Sequence, residues 1–216
     1  MYYSLAMPAP STKDRIIAAA QELFGEQGYP ATSMREITAR ADVNLAAINY
    51  HFGSKENLLH EIVRYCMKPL NEQRMHGLGQ LEVAARESGT PLALRDVVHA
   101  FLEPAVRLFS STNNEALPCM MARLHHELAP GLEDLMNQIL SPVVARFVAT
   151  VQLTLPERNP EEIILRGHFM MGSLIHLMDT SPEFMHKLSG GLVDLNDSEY
   201  LLNQLVNFCT AGFRNA

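Results

Sequence analysis

Apolar residues recur at spacings of three and four along nearly the whole chain, and no segment alternates apolar and polar positions as a β-strand would. This pattern predicts an all-α protein. Three helices are expected first, each opened by a side chain that can cap it: Ser11 or Thr12, Ser33 and Asn44. Gly53 then breaks the third helix, and Ser54 caps a longer fourth one.

Longer helices are expected after the fourth. Apolar periodicity predicts them over residues 92–109, 118–128, 131–155, 160–178 and 198–213. We expect Pro69 to kink or end the fourth helix, because proline lacks an N–H group and its ring crowds the preceding turn. The change from short to long helices predicts two domains, of residues 11–56 and 57–216.

Charge is divided unequally between these two parts. The formal net charge is −7, yet residues 1–68 hold seven basic and seven acidic side chains. The acidity therefore belongs to the remainder of the chain, and the neutral N-terminal third could face a polyanion if its cations share one surface. Three widely spaced cysteines, Cys66, Cys119 and Cys209, favour buried thiols over a disulfide framework.

Two short helices joined by a three-residue turn, after a longer first helix, are typical of a helix-turn-helix motif. In such a motif the second short helix, here beginning at Leu45, enters the major groove of DNA. Four apolar side chains are expected to face inward: Ile37, Val43, Ile48 and Phe52. An ordinary helical bundle fits the same pattern, so the pattern alone leaves both interpretations open.

The literal residues favour DNA. Residues 32–59, TSMREITARADVNLAAINYHFGSKENLL, resemble the signature of the TetR family of bacterial transcriptional regulators, within a resemblance over residues 12–64. It implies a homodimer with an N-terminal three-helix DNA-binding domain and a larger helical ligand-binding and dimerisation domain. In one departure, the family's tyrosine usually follows the residue that corresponds to Ile48, but here Asn49 stands there and the tyrosine is Tyr50.

DNA contacts are predicted from the chemistry of the side chains. Lys55, at the positive end of the fourth helix, is a candidate phosphate clamp. Asn49 can bond adenine, and Ala46 and Ala47 can meet thymine methyl groups. For His51, a structural hydrogen bond within the turn is an equal alternative. The complete predicted set is Thr32, Arg35, Asn44, Leu45, Ala46, Ala47, Asn49, Tyr50, His51 and Lys55.

A second resemblance concerns the ligand. NLAAINYHFGSK together with RGHFMMG at residues 166–172 is similar to the TetR regulators that repress fatty-acid degradation genes and respond to fatty acids or their thioesters. A methionine-rich C-terminal half suits a pocket for flexible alkyl chains, with Arg123 at its polar end. Core filling, with Arg123 in solvent, is the alternative. The predicted ligand-binding residues are Phe101, Phe109, Met120, Met121, Arg123, Leu124, Phe147, Met170, Met171 and Leu174.

Helices 160–178 and 198–213 are the predicted dimer elements, which the resemblance implies pack as a four-helix bundle. Their predicted interface residues are Ile164, Gly167, Leu174, Ile175, Leu201, Leu205 and Phe208. Cys119, His125 and His126 invite a metal site, but adjacent histidines on a helix point about 100° apart and cannot readily share one ion. We expect no metal and no cofactor.

These patterns predict a ligand-responsive transcriptional regulator. We expect no enzyme activity, since no nucleophile–base pair, phosphate loop or metal motif has suitable spacing. It should repress by binding a pseudo-palindromic double-stranded DNA operator as a homodimer, and a fatty acid or acyl-CoA should release it. A helical lipid carrier or enzyme with an apolar pocket and no DNA function is the alternative. The absence of a signal peptide and of a long apolar run predicts a cytoplasmic protein with no membrane contact.

Overall fold

The computed structural model describes residues 10–110, 120–121, 123–124 and 131–214. Within these residues the regular secondary structure is entirely helical, which confirms the all-α prediction. The helices are α1 Thr12–Gln27, α2 Met34–Arg40, α3 Leu45–Phe52, α4 Lys55–Ser88, α5 Leu94–Phe109, α6 Leu132–Thr154, α7 Pro160–Asp179, α8 Pro182–Leu188 and α9 Ser198–Arg214. Residues 120–121 and 123–124 are also helical.

Side-chain caps open the first four helices. The Ser33 hydroxyl accepts a hydrogen bond from the backbone N–H of Glu36 at 3.2 Å, and the Glu36 carboxylate accepts from the Ser33 N–H at 2.7 Å. These bonds to Ser33 hold the pKa of Glu36 below its ordinary value. Because caps satisfy amides that have no partner inside the helix, local sequence alone can specify where these helices begin. The other caps are Ser11, Asn44 and Ser54.

The helices α1–α3, hereafter the N-terminal unit, share a small closely packed core. Ile16, Ile37 and Ile48, one from each helix, are completely buried, and Leu58 and Leu59 from the start of α4 are buried in the same core. Apolar burial of this kind is the main force that holds short helices together, since isolated helices of this length are marginal in water.

Helix α4 connects the N-terminal unit to the rest of the molecule. It contacts α1 and α3 near its start and packs along α5 and α6 further on. Pro69 lies inside α4 and does not end it, which corrects one of the two outcomes expected for this proline. Cys66, Met67 and Leu70 are buried on either side of Pro69. Their packing offsets the hydrogen bond that the proline removes.

The helices α5–α9, hereafter the C-terminal unit, form a layered bundle. Helix α5 packs between α4 and α9, while α6 packs on α4 and α7. Cys66 and Cys209 are free and buried, as expected, and burial raises the pKa of each thiol to about 11. Cys119 lies outside the described residues. Among the described helices, none has the length and apolar character that crossing a bilayer requires.

Candidate nucleic-acid interface and ligand cavity

A tight turn fixes α3 against α2. Asp42 in this turn has a φ of 52°, a left-handed conformation that aspartate tolerates better than most residues. The Val43 N–H donates to the Thr38 carbonyl at 3.0 Å, and the Arg15 guanidinium donates to the Asp42 carbonyl at 3.2 Å. The turn is therefore held both by its own backbone and by α1, which sets the direction of α3.

One face of α3 is buried and the opposite face is open. Ile48 and Phe52 pack into the core of the N-terminal unit. Asn49 is exposed, and Tyr50 projects with 87% of its surface accessible. Leu45, Ala46 and His51 are also exposed, and Ala47 is half-buried. Of the six predicted DNA-binding residues of this helix, the described chain thus leaves five uncovered and Ala47 partly covered.

The flanking predicted residues divide into two kinds. Arg35 is exposed on α2. Asn44 is exposed too, but its side-chain oxygen accepts the Ala47 N–H at 2.8 Å, so part of its hydrogen-bonding capacity caps α3. Thr32 requires a correction: it is only 2% exposed, and its hydroxyl donates to the Gly28 carbonyl at 2.8 Å. Its hydroxyl therefore belongs to the interior and is not placed to reach a phosphate.

Lys55 also differs from the prediction. Its ammonium donates to the carbonyls of Tyr29 and Thr32, both at 2.8 Å, and lies 4.3 Å from the centroid of the Tyr29 ring. This geometry ties the first turn of α4 to the segment between α1 and α2. Lys55 thus holds the helix-turn-helix in position, and its ammonium is turned towards the protein.

Other cations near this surface are paired with acids. Arg40 lies 2.9 Å from a carboxylate oxygen of Glu22 and 3.1 Å from one of Glu26. These ion pairs are solvent-exposed, so each contributes little to stability. They do reduce the positive charge that the N-terminal unit offers to DNA.

A cavity of about 930 Å³ lies between α4, α5, α6 and α7. Apolar side chains make up most of its lining. Phe101 and Phe147 are part of it, with ring centroids 4.4 Å apart. The volume and the apolar lining are in the range of sites that hold small organic molecules.

Six of the predicted ligand-binding residues line this cavity besides Phe101: Met121, Leu124, Phe147, Met170, Met171 and Leu174. Met120 is buried but is not part of the lining. The prediction that Arg123 forms the polar end of the pocket is corrected, since its side chain is exposed and does not line the cavity. Phe109 ends α5, but its side chain lies outside the described part of the structure.

Arg74 of α4 is the charged, buried residue among the cavity residues that the sequence interpretation missed. It is 1% exposed, lines the cavity, and lies over the Phe101 ring at 4.4 Å from the centroid. Burial lowers the pKa of Arg74 to about 10. The sequence does contain a signal for this residue. Arg74 lies on the same face of α4 as the buried residues Leu70, Asn71 and Leu78, and an arginine on the buried face of a helix is unusual.

Comparisons with known proteins agree with this architecture. The family model "Bacterial regulatory proteins, tetR family" matches residues 16–62, and "Tetracyclin repressor-like, C-terminal domain" matches residues 99–212. The chain belongs to the TetR family of transcriptional regulators. This family consists of DNA-binding regulators and not of enzymes, as the sequence predicted.

Individual TetR-family relatives are distant. The chain is 26% identical over 174 residues to the dual regulator CecR of Shigella flexneri, covering 80% of this chain and 78% of CecR. It is 25% identical over 153 residues to IcaR, a negative regulator of the biofilm operon in Staphylococcus aureus, covering 71% of this chain and 78% of IcaR.

A similar solved structure is that of the fatty acid degradation regulator FadR from Bacillus halodurans. Its TM-score is 0.62 at 14% identity, and the match covers 97% of this chain and 100% of that one. At this identity the likeness supports a common fold and nothing more specific.

The TetR-family fold leaves an apolar surface on α7 and α9. Leu165 and Phe169 are exposed one turn apart on α7, and Phe208 is exposed on α9. Of the predicted dimer residues, Ile164 and Phe208 are exposed, Ile175 is half-buried, and Gly167 faces the Phe147 ring. The structure corrects the prediction for three of these residues. It buries Leu174, Leu201 and Leu205 inside this chain, so they are not available to a partner.

Proposed function

We propose that this TetR-family chain is a repressor that binds a pseudo-palindromic operator as a homodimer and is released by a small ligand with an apolar body, such as a fatty acid. The observation that carries the proposal is the uncovered face of α3, centred on Asn49 and Tyr50, on a unit whose core is closed. A helix presented in this way can enter a major groove without repacking the protein.

The base contacts are assigned to α3. Asn49 can donate to and accept from the edge of an adenine, while Ala46 and the partly exposed Ala47 can lie against thymine methyl groups. Tyr50, His51 and Arg35 are the candidates for the sugar-phosphate backbone. Since few cations of this unit are free of acidic partners, we expect each subunit alone to bind weakly and the pair to supply the affinity.

The dimer is assigned to α7 and α9. Leu165, Phe169 and Phe208 would be costly to leave in water on a monomer, and apolar surface of this kind typically marks an interaction site. Gly172 and Gly212 are exposed on the same two helices, and a Cβ at either position would meet nothing within 4 Å. Small residues beside large apolar ones allow two helices to approach closely.

A route from the cavity to the DNA-binding surface passes through Gly131. This glycine lines the cavity immediately before α6, with a φ of 67°. A Cβ on it would lie 3.0 Å from Cε1 of His60 and 3.3 Å from the carboxylate of Glu56, both in the first turns of α4. A ligand that displaces the start of α6 would therefore displace the first turns of α4. Because α3 packs against α4, the position of α3 would change as well.

Specific DNA binding is tested by a mobility shift with the DNA upstream of the chain's own gene at two salt concentrations. The chain should shift this DNA more strongly than a scrambled duplex, and higher salt should weaken the complex. Asn49→Ala should lose roughly 1–3 kcal/mol of discrimination against the scrambled duplex. Asn137→Ala, which truncates an exposed asparagine on α6, is the matched control and should bind as the parent does.

Dimerisation is tested separately by analytical ultracentrifugation. The double substitution Phe169→Glu and Phe208→Glu should yield a folded monomer with weakened DNA binding, because it places charge in an apolar interface. Val83→Glu, at another exposed apolar residue, should remain dimeric. A chain that shifts no DNA in the mobility-shift experiment but binds lipid in a separate assay would instead be a carrier.

A further inference from the structure

The cavity contains a buried positive charge that the proposed function does not yet use. Arg74 is 1% exposed. The other charged residues of the lining, Glu133, Asp134 and Asp179, are exposed acids. Within the described lining, Arg74 is therefore the only charged group that is removed from water.

The polar partners of Arg74 in the described structure are neutral. Its Nε donates to the Phe101 carbonyl at 2.9 Å, and one terminal nitrogen donates to the Asn71 side-chain oxygen at 3.3 Å. Asn71 is itself fixed, because its amide nitrogen donates to the Ile139 carbonyl at 3.3 Å. No described carboxylate lies within ion-pair distance of the guanidinium.

Burying a charged guanidinium with only neutral partners costs free energy unless an opposite charge compensates it. A guanidinium stays charged even when buried, and a buried charge is normally paired with an opposite one. The pKa of Arg74, lowered by desolvation to about 10, has the sign expected for an unpaired buried cation. Among the described residues, two hydrogen bonds and the Phe101 ring orient the group, and no carboxylate neutralises its charge.

We propose that Arg74 is the anchor for a single carboxylate on the ligand, whose apolar body fills the remainder of the cavity. This inference rests on the proposed function, since it assumes that the cavity binds a ligand. A carboxylate matches the planar fork of donors on arginine, and the pair would be desolvated and therefore strong. The exposed acids of the lining repel a carboxylate from the outer part of the cavity and favour its placement at Arg74.

The experiment compares two probes of equal chain length, dodecanoate and dodecanol, that displace the neutral dye Nile red from the full chain. The parent protein should bind dodecanoate about tenfold or more tightly than dodecanol, as expected for a hydrogen bond between charged groups. In Arg74→Met, this preference should disappear while the affinity for dodecanol remains. Arg123→Met is the matched control, because Arg123 is exposed and lies outside the lining, and it should keep the preference.

The outcomes separate the two proposals. Equal displacement by dodecanoate and dodecanol from the parent protein, or a preference that survives in Arg74→Met, would overturn the role of Arg74 and leave the apolar site standing. Failure of both probes to displace the dye would overturn the apolar ligand as well. If Arg74→Met does not fold, the comparison of the two probes in the parent protein and in Arg74→Lys, which should retain a preference for the acid, decides the question.

Discussion

The N-terminal and C-terminal units are built from the same kind of element but use their interiors differently. Ile16, Ile37 and Ile48 fill the core of the N-terminal unit, whose helices begin at side-chain caps. The C-terminal unit consists mostly of longer helices, forms a cavity of about 930 Å³ together with α4, and opens α5 at Ala93 without a side-chain cap.

This difference separates two tasks. A surface that reads DNA must hold its side chains in one geometry, which a filled core and fixed helix ends provide. A site that receives a ligand needs empty space and the capacity to change shape. Flexible methionines along α7 supply the capacity to change shape. Helix α4 contacts both units, and in the proposed mechanism it would transmit a change from one to the other.

The largest expected effect is the loss of a core side chain from the N-terminal unit. Ile48→Ala should reduce the free energy of unfolding by about 2–5 kcal/mol, because the small core cannot collapse around the space left behind. Leu45→Ala, on the exposed side of the same helix, should stay within about 0.5 kcal/mol of the parent. Urea unfolding measures both, and equal losses would contradict the assignment of the two faces.

The same substitution in both units tests the difference in packing directly. Ala20 is fully buried in the N-terminal core, so Ala20→Leu should cost about 1–3 kcal/mol of stability through overpacking. Ala105 lines the cavity, so Ala105→Leu has space to occupy and should cost less than about 1 kcal/mol. It should also weaken dodecanoate binding in the dye assay. A larger thermal destabilisation from Ala105→Leu would show that the cavity wall is rigid.

Helix caps offer a pair of opposite changes. Ser33→Ala removes the cap of α2 and should cost about 1 kcal/mol, whereas Ala93→Ser supplies one to α5 and should gain up to a similar amount. Ala93 is exposed and already has the extended backbone that a cap requires. Both are measured by urea unfolding, and a neutral Ser33→Ala would mean that α2 depends on packing alone.

The smallest expected effect is a pH dependence at α2. Hydrogen bonds from Ser33 hold the pKa of Glu36 below its ordinary value, so the carboxylate contributes stability above the ordinary carboxyl pKa. That contribution should be lost as the pH falls through the lowered pKa. Glu36→Gln should therefore lose less stability than the parent as the pH falls from neutral to well below the ordinary carboxyl pKa, through the lowered pKa of Glu36. Thermal melting across this range provides the measurement, and parallel curves would refute the coupling.

Sequence predicted the N-terminal unit more completely than the C-terminal one. Periodicity and capping chemistry predict features that depend on residues a few positions apart. The caps at Ser33 and Asn44 and the inward positions of Ile37 and Ile48 are of this kind. For Thr32 and Lys55 the sequence missed the partners inside the protein, because these are backbone carbonyls brought close by the fold. No local pattern marks such a carbonyl.

By itself the sequence determined the helical class, the starts of the first four helices, the apolar face of α3 and the family. Tertiary structure alone decided that α4 continues through Pro69, that Arg74 and not Arg123 is the cation at the cavity, and that Leu201 and Leu205 face the chain's own core. The physical reason is range: caps and periodicity act over one or two turns, whereas a cavity wall is assembled from helices that are distant in sequence and meet only after folding.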